Sequence, residues 1–117
     1  MVNTYFVQIW VGFRIGYTDQ KYGLEKVRRI CEKFVNESDS TNHSKCVTIT
    51  PTEYIYVDGC EPGAVVGFIN YPRFPAEPEQ ILKQALILAE QLRVGLEQFR
   101  VTVVTPDKTY MLEDENC

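Results

Sequence analysis

Along residues 4–14 the chain alternates, with Tyr5, Val7, Ile9, Val11 and Phe13 on one side. Period two in β-branched and aromatic residues marks a strand whose apolar side faces a core. After a turn at residues 16–20 the period changes. Between residues 22 and 35 Leu24, Val27, Ile30, Cys31, Phe34 and Val35 recur at helical spacing and form one stripe. Residues 36–45 are polar throughout and read as a mobile loop. Residues 46–50 and 54–58 read as one extended stretch broken at Pro51, and residues 64–71 as the next strand, with the turn-rich Gly59-Cys60-Glu61-Pro62-Gly63 joining them. Tyr71-Pro72-Arg73-Phe74-Pro75 is a stiff bend, because each proline fixes φ and restricts the residue before it. A second helix is expected from Pro78, with Ile81, Leu82, Ala85, Leu86, Leu88, Ala89 and Leu92 as its apolar face and Gly95 as its stop. Residues 99–105 and 108–112 give two further strands around a Pro106-Asp107 turn.

The order β-α-β-β-α-β-β contains the split β-α-β pattern in its first six elements. The fold class is therefore α+β: a ferredoxin-like antiparallel sheet with two helices on one face and an added C-terminal hairpin strand. One domain is expected over residues 1–112, followed by an acidic tail at 113–117. The size of 117 residues suits a single domain that needs no disulfide or metal to fold.

With both helices on one face, the opposite residues should be polar, and they are not. That side is expected to carry Phe6, Gln8, Trp10 and Gly12, then Tyr54 and Tyr56, then Val66, Phe68 and Asn70, then Arg100, Thr102 and Val104. Phe6, Trp10, Tyr54, Tyr56 and Phe68 form an apolar surface that calls for a cover. A second copy of the chain is the expected cover, because self-complementary patches close into symmetric oligomers. The loop or the tail folding back is the intramolecular alternative.

The charge balance of 12 basic and 16 acidic residues, net −4, argues against general affinity for nucleic acid or an anionic membrane. Ile9-Trp10-Val11-Gly12-Phe13-Arg14 nevertheless resembles the first signature strand of RNA-recognition motifs, and Gly67-Phe68-Ile69-Asn70-Tyr71 the end of the other. Val66, Ala64 and Phe13 depart from that pattern, and the cations lie mainly on the first helix. An RNA-binding module is thus the minor reading. No apolar run is long enough to span a bilayer and the start lacks the basic region of a secretory leader, so a cytoplasmic protein is expected.

Candidate ligand chemistry centres on the bend. Arg73 offers a guanidinium fork to a phosphate or carboxylate, and Phe74 or Tyr71 a ring to stack on a base. Arg100 is a candidate second cation. Arg28, in a basic cluster with Lys26, Arg29 and Lys33, is another, although Glu25 and Glu32 are placed to neutralise it. His43 and Cys46 have metal-like spacing, but the cysteines lack the pairing of a zinc site, so no metal and no cofactor are expected. Glu53, Asp58 and Glu61 along one hairpin read as solvated carboxylates, and no catalytic motif stands out. The chain reads as a non-catalytic protein.

In length, in its five-strand and two-helix order, and in its cationic and aromatic residues the chain resembles the phage-encoded Thoeris anti-defence proteins of the first type. That resemblance implies a homo-oligomeric sponge, which holds a cyclic nucleotide signal at subunit interfaces without cleaving it. The combined expectation is a homo-oligomer binding a small anionic, nucleotide-like ligand. A structural or assembly homo-oligomer without a small ligand is the alternative.

Overall fold

A computed structural model describes residues 1–14, 21–37, 46–73 and 75–114. The turn at 16–20, the loop with His43, Phe74 and residues 115–117 lie outside the described residues. The elements follow the expected order: β1 (Phe6–Gly12), α1 (Leu24–Asn36), β2 (Thr48–Tyr56), β3 (Gly59–Ile69), α2 (Pro78–Gly95), β4 (Arg100–Val104) and β5 (Thr109–Glu113). They form one five-stranded antiparallel sheet in the order β2-β3-β1-β4-β5. This is the split β-α-β arrangement with β5 added at the β4 edge.

Both helices press on one face. Val7, Ile9, Val11 and Phe13 meet Val27, Cys31 and Phe34 of α1 and Ala85, Leu88 and Leu92 of α2 in a single sealed core. Burial pushes the Cys31 thiol up to about 12, so it packs as a small neutral hydrophobe. Gly95 ends α2 as expected, but the left-handed residue beyond the helix is Glu97 (φ 53°). A side chain at Gly95 would meet Ile30 Cδ1 at 2.6 Å, so this glycine serves the close approach of α1 and α2.

Three expectations about the central hairpin are corrected. Pro51 does not interrupt β2, because β2 is an edge strand, where a missing donor is tolerated. The turn is Val57-Asp58, with Asp58 at φ 61°, and residues 59–63 belong to β3. The register of β3 also reverses its expected faces: Phe68 pairs with Val7, Val66 with Ile9 and Ala64 with Val11. Cross-strand partners share a face, so Val66 and Phe68 (0% and 5% exposed) belong to the core, not to the open side. Phe68 is thereby removed from the proposed subunit surface and from any base-stacking platform. Asn70 follows the same alternation; its amide donates to Asn3 O and accepts from Ala76 N, tying the β3–α2 connection to the N-terminal segment.

At the chain end, β5 runs through Glu113, and Asp114 N donates to Phe99 O at 2.9 Å. The strand thus reaches past the residue where the acidic tail was expected to begin.

Candidate functional site

The open face is ordered in rows set by strand register. One row holds Thr50, Val65, Trp10, Thr102 and Met111; the next holds Thr52, Gly63 and Gly12. Continuing the β1–β4 register by two residues brings Arg100 of β4 level with Gly12. Beyond Gly12, Tyr54 stands opposite Glu61, and Arg14 reaches Glu61 with Nε 3.6 Å from Oε2.

The two glycines make a floor without side chains, and the neighbours lean over it. Tyr54 lies across Gly63, where an added Cβ would fall 2.5 Å from Cε2, and its hydroxyl donates to Val11 O at 3.2 Å. Trp10 meets Tyr54 edge-on, with centroids 6.5 Å apart and an interplanar angle of 61°. Over Gly12 stand the Glu61 carboxylate and the Gln98 amide oxygen, 3.3 and 3.1 Å from where a Cβ would sit. Gln98 in turn donates through Nε2 to Arg14 O at 2.6 Å and Leu96 O at 3.1 Å, which fixes the end of the α2–β4 connection against β1.

The electrostatics of this depression are mixed. Burial, and then the neighbouring Glu61 charge, raise the Tyr54 phenol above its ordinary value, so it remains a neutral donor at physiological pH. Arg14 Nε is buried and has no hydrogen-bond partner among the described residues, because Glu61 stands just beyond hydrogen-bond length. Two aromatic rings, a carboxylate and a guanidinium over a glycine floor suit a small molecule that carries both a ring system and charged groups.

The sequence-predicted residues divide between this depression and other places. Trp10, Tyr54 and Arg100 belong to its end of the sheet, with Arg100 Nε 3.7 Å from Glu113. Phe6 is half-buried in the open face at the other end of β1, and Tyr56 lies over Gly59, the outermost pair of the hairpin. The bend is remote. Tyr71 lies ten residues along the chain from Glu61, about 30 Å at ~3.3 Å per strand residue. Its hydroxyl is engaged with Cys46 Sγ at 3.6 Å, a contact that with burial pushes its phenol up to about 12. Arg73 is exposed there, and the structure does not bring it to the aromatic pair. Arg28 stands on α1, on the helix side of the sheet, between Glu25 and Glu32 at 3.9 Å each.

Sequence reasoning missed Arg14, Gln98 and Gly63 as site residues, and the roles of Gly12 and Glu61. Glu61 is not the solvated carboxylate expected of a hairpin tip, because the turn lies further out and β3 carries it inward beside Tyr54. One signal was present: Gly59, Gly63 and Gly67 recur every four residues, which on a strand places all three on one face.

No protein-family model matches the chain, and no curated protein matches it. Solved structures match in fold. A phage SAM lyase in complex with S-methyl-5'-thioadenosine superposes with a TM-score of 0.78 at 15% identity, over 96% of this chain and 91% of that chain. A phage SAM lyase in the apo state gives 0.69, also at 15% identity, over 95% and 90% of the respective chains. At this identity the likeness is one of fold, and it spans nearly all of both molecules. It carries the expected phage connection as far as a fold found in phage proteins, and both structures are of a lyase, not of a cyclic-nucleotide sponge. The expectation that the chain is not an enzyme is overturned by the same finding, since this is a fold on which a lyase is built. Among the described residues no helix is long and apolar enough to cross a membrane.

Proposed function

We propose that this protein binds S-adenosylmethionine in the depression over Gly12 and Gly63 and releases S-methyl-5'-thioadenosine from it. The observation that carries the reading is the Glu61 carboxylate opposite Tyr54, whose ring meets Trp10 edge-on, on the sheet fold of a lyase. A carboxylate against aromatic faces attracts a cation, and this substrate brings two, its sulfonium and its α-ammonium. The partly exposed guanidinium groups of Arg14 and Arg100 would pair the α-carboxylate in fork geometry. Trp10 and Tyr54 offer ring surface to the adenine.

The thioadenosine product retains the sulfur, its methyl group and the ribose. The bond that breaks therefore joins sulfur to the methionine Cγ, and its electron pair returns to sulfur. The four-carbon fragment balances without water or oxidant, by closing its own carboxylate oxygen on Cγ to form a lactone. Cleavage removes the sulfonium charge, so the attraction to Glu61 falls and the neutral thioether is released.

A cyclic nucleotide, the ligand class expected from the sequence, shares a nucleoside part with this substrate but lacks the sulfonium. The test is titration calorimetry with S-adenosylmethionine, S-methyl-5'-thioadenosine and a cyclic adenine nucleotide, alongside chromatography of incubated S-adenosylmethionine. The expected result is release of S-methyl-5'-thioadenosine with a lactone of matching amount. Glu61→Gln should bind the sulfonium about tenfold more weakly, which is about 1.4 kcal/mol, while staying folded by thermal melt. Binding of the cyclic nucleotide without turnover of S-adenosylmethionine would restore sequestration in place of catalysis. No binding of any of the three would overturn the site.

A further inference from the structure

The face of α2 turned away from the core carries its own pattern. Ile81, Ala85, Leu88, Ala89 and Leu92 are buried in the core and Leu82 and Leu86 pack against its edge, yet the outer sides of these two leucines, with Ile87, line an apolar groove bordered by Glu79, Lys83 and Glu90. Ile87 is 42% exposed, and Val94 two turns beyond it is 60% exposed. Ile87 and Val94 carry apolar surface beyond what the core uses, on a side of the helix where polar residues are usual.

We infer that a second copy of this chain covers the groove through antiparallel α2–α2 packing about a two-fold axis passing between Leu86 and Ile87. Charge complementarity selects this occupant. The axis sets Leu86 of one copy against Ile87 of the other and Lys83 of each against Glu90 of the other, giving two reciprocal ion pairs around an apolar centre. Val94 then meets the aliphatic part of Glu79. Moving the helices by one turn in either direction destroys the Lys83–Glu90 match, so the pattern specifies a register as well as a partner. Glu90 already holds Arg93 through a bidentate contact, which orders its carboxylate before the partner arrives. The α2 groove lies on the opposite side of the molecule from the Trp10–Tyr54 depression, so this association is independent of the ligand reading.

Sedimentation velocity over a concentration series tests it. A single helix pair is a small interface, so the wild-type mass should rise with concentration to twice that of Lys83→Glu. The reciprocal double substitution Lys83→Glu with Glu90→Lys should restore the wild-type mass, and Ile87→Asp should abolish it. Thermal melts confirm that each variant is folded. An unchanged mass in Lys83→Glu and Ile87→Asp overturns the proposal, whether the wild type is a monomer or an assembly. A mass that falls only with Tyr56→Asp or Met111→Glu places the contact on the sheet and overturns it too.

Discussion

Val7, Ile9 and Val11 on the helix-covered face of β1 are at most 1% exposed, while the larger Phe6 and Trp10 on its other face stay only half-buried. Both sets are apolar, and they come from the same seven-residue strand. On one face apolar bulk is used up in packing, because two helices supply the opposing surface. On the other, ring surface is left next to glycines, a carboxylate and an arginine. The difference between a core and a site here is the shape and charge of what surrounds the rings, not their hydrophobicity.

The sharpest way to break this comparison is to remove bulk from the covered face. Leu88→Ala leaves a cavity in the fully buried core and should cost about 2–5 kcal/mol in chemical denaturation. If it costs no more than an open-face change, the two faces are not energetically distinct. Next comes the floor of the depression. Gly63→Val drives a side chain against Val11 O and the Tyr54 ring, so a loss of about 1–3 kcal/mol is expected with loss of ligand binding. A variant that binds normally would show that the glycine floor does not shape the site. The smallest effect belongs to the α1 surface. Arg28→Ala removes exposed pairs to Glu25 and Glu32 and should shift stability by less than ~0.5 kcal/mol, leaving ligand affinity unchanged by calorimetry. A clear affinity loss there would return Arg28 to the ligand site and move the functional surface to the helix side.

Much of the fold was legible because its signals are local. Alternation in residues 5–13 and the helical stripes at Val27–Phe34 and Ile81–Leu92 each depend only on neighbours within a turn or a pleat. The element order followed, and with it the split β-α-β topology. β3 resisted for a physical reason: Ala64, Val65 and Val66 are consecutive apolar residues with Phe68 and Ile69 beyond, so neither face contrasts with the other. Only pairing with β1 decided that Val66 and Phe68 go inward and Val65 and Ile69 outward. The turn was hidden similarly, because Gly59, Pro62 and Gly63 are turn formers by type, whereas the ladder needed Val57-Asp58 as the loop.

The candidate site was half legible. Trp10 and Tyr54 could be placed on the uncovered face from their strands alone, but their company could not. Arg14 and Gln98 are 84 residues apart in sequence and meet only because β1 and the end of α2 converge at one corner of the sheet. By itself the sequence determined which segments are strands and helices, in what order, and that apolar surface exceeds what two helices can cover, since periodicity and composition are properties of the chain. Tertiary structure alone decided which face β3 presents, where the glycines align into a floor, and which carboxylate stands beside the rings, since register and side-chain proximity exist only once distant strands have paired.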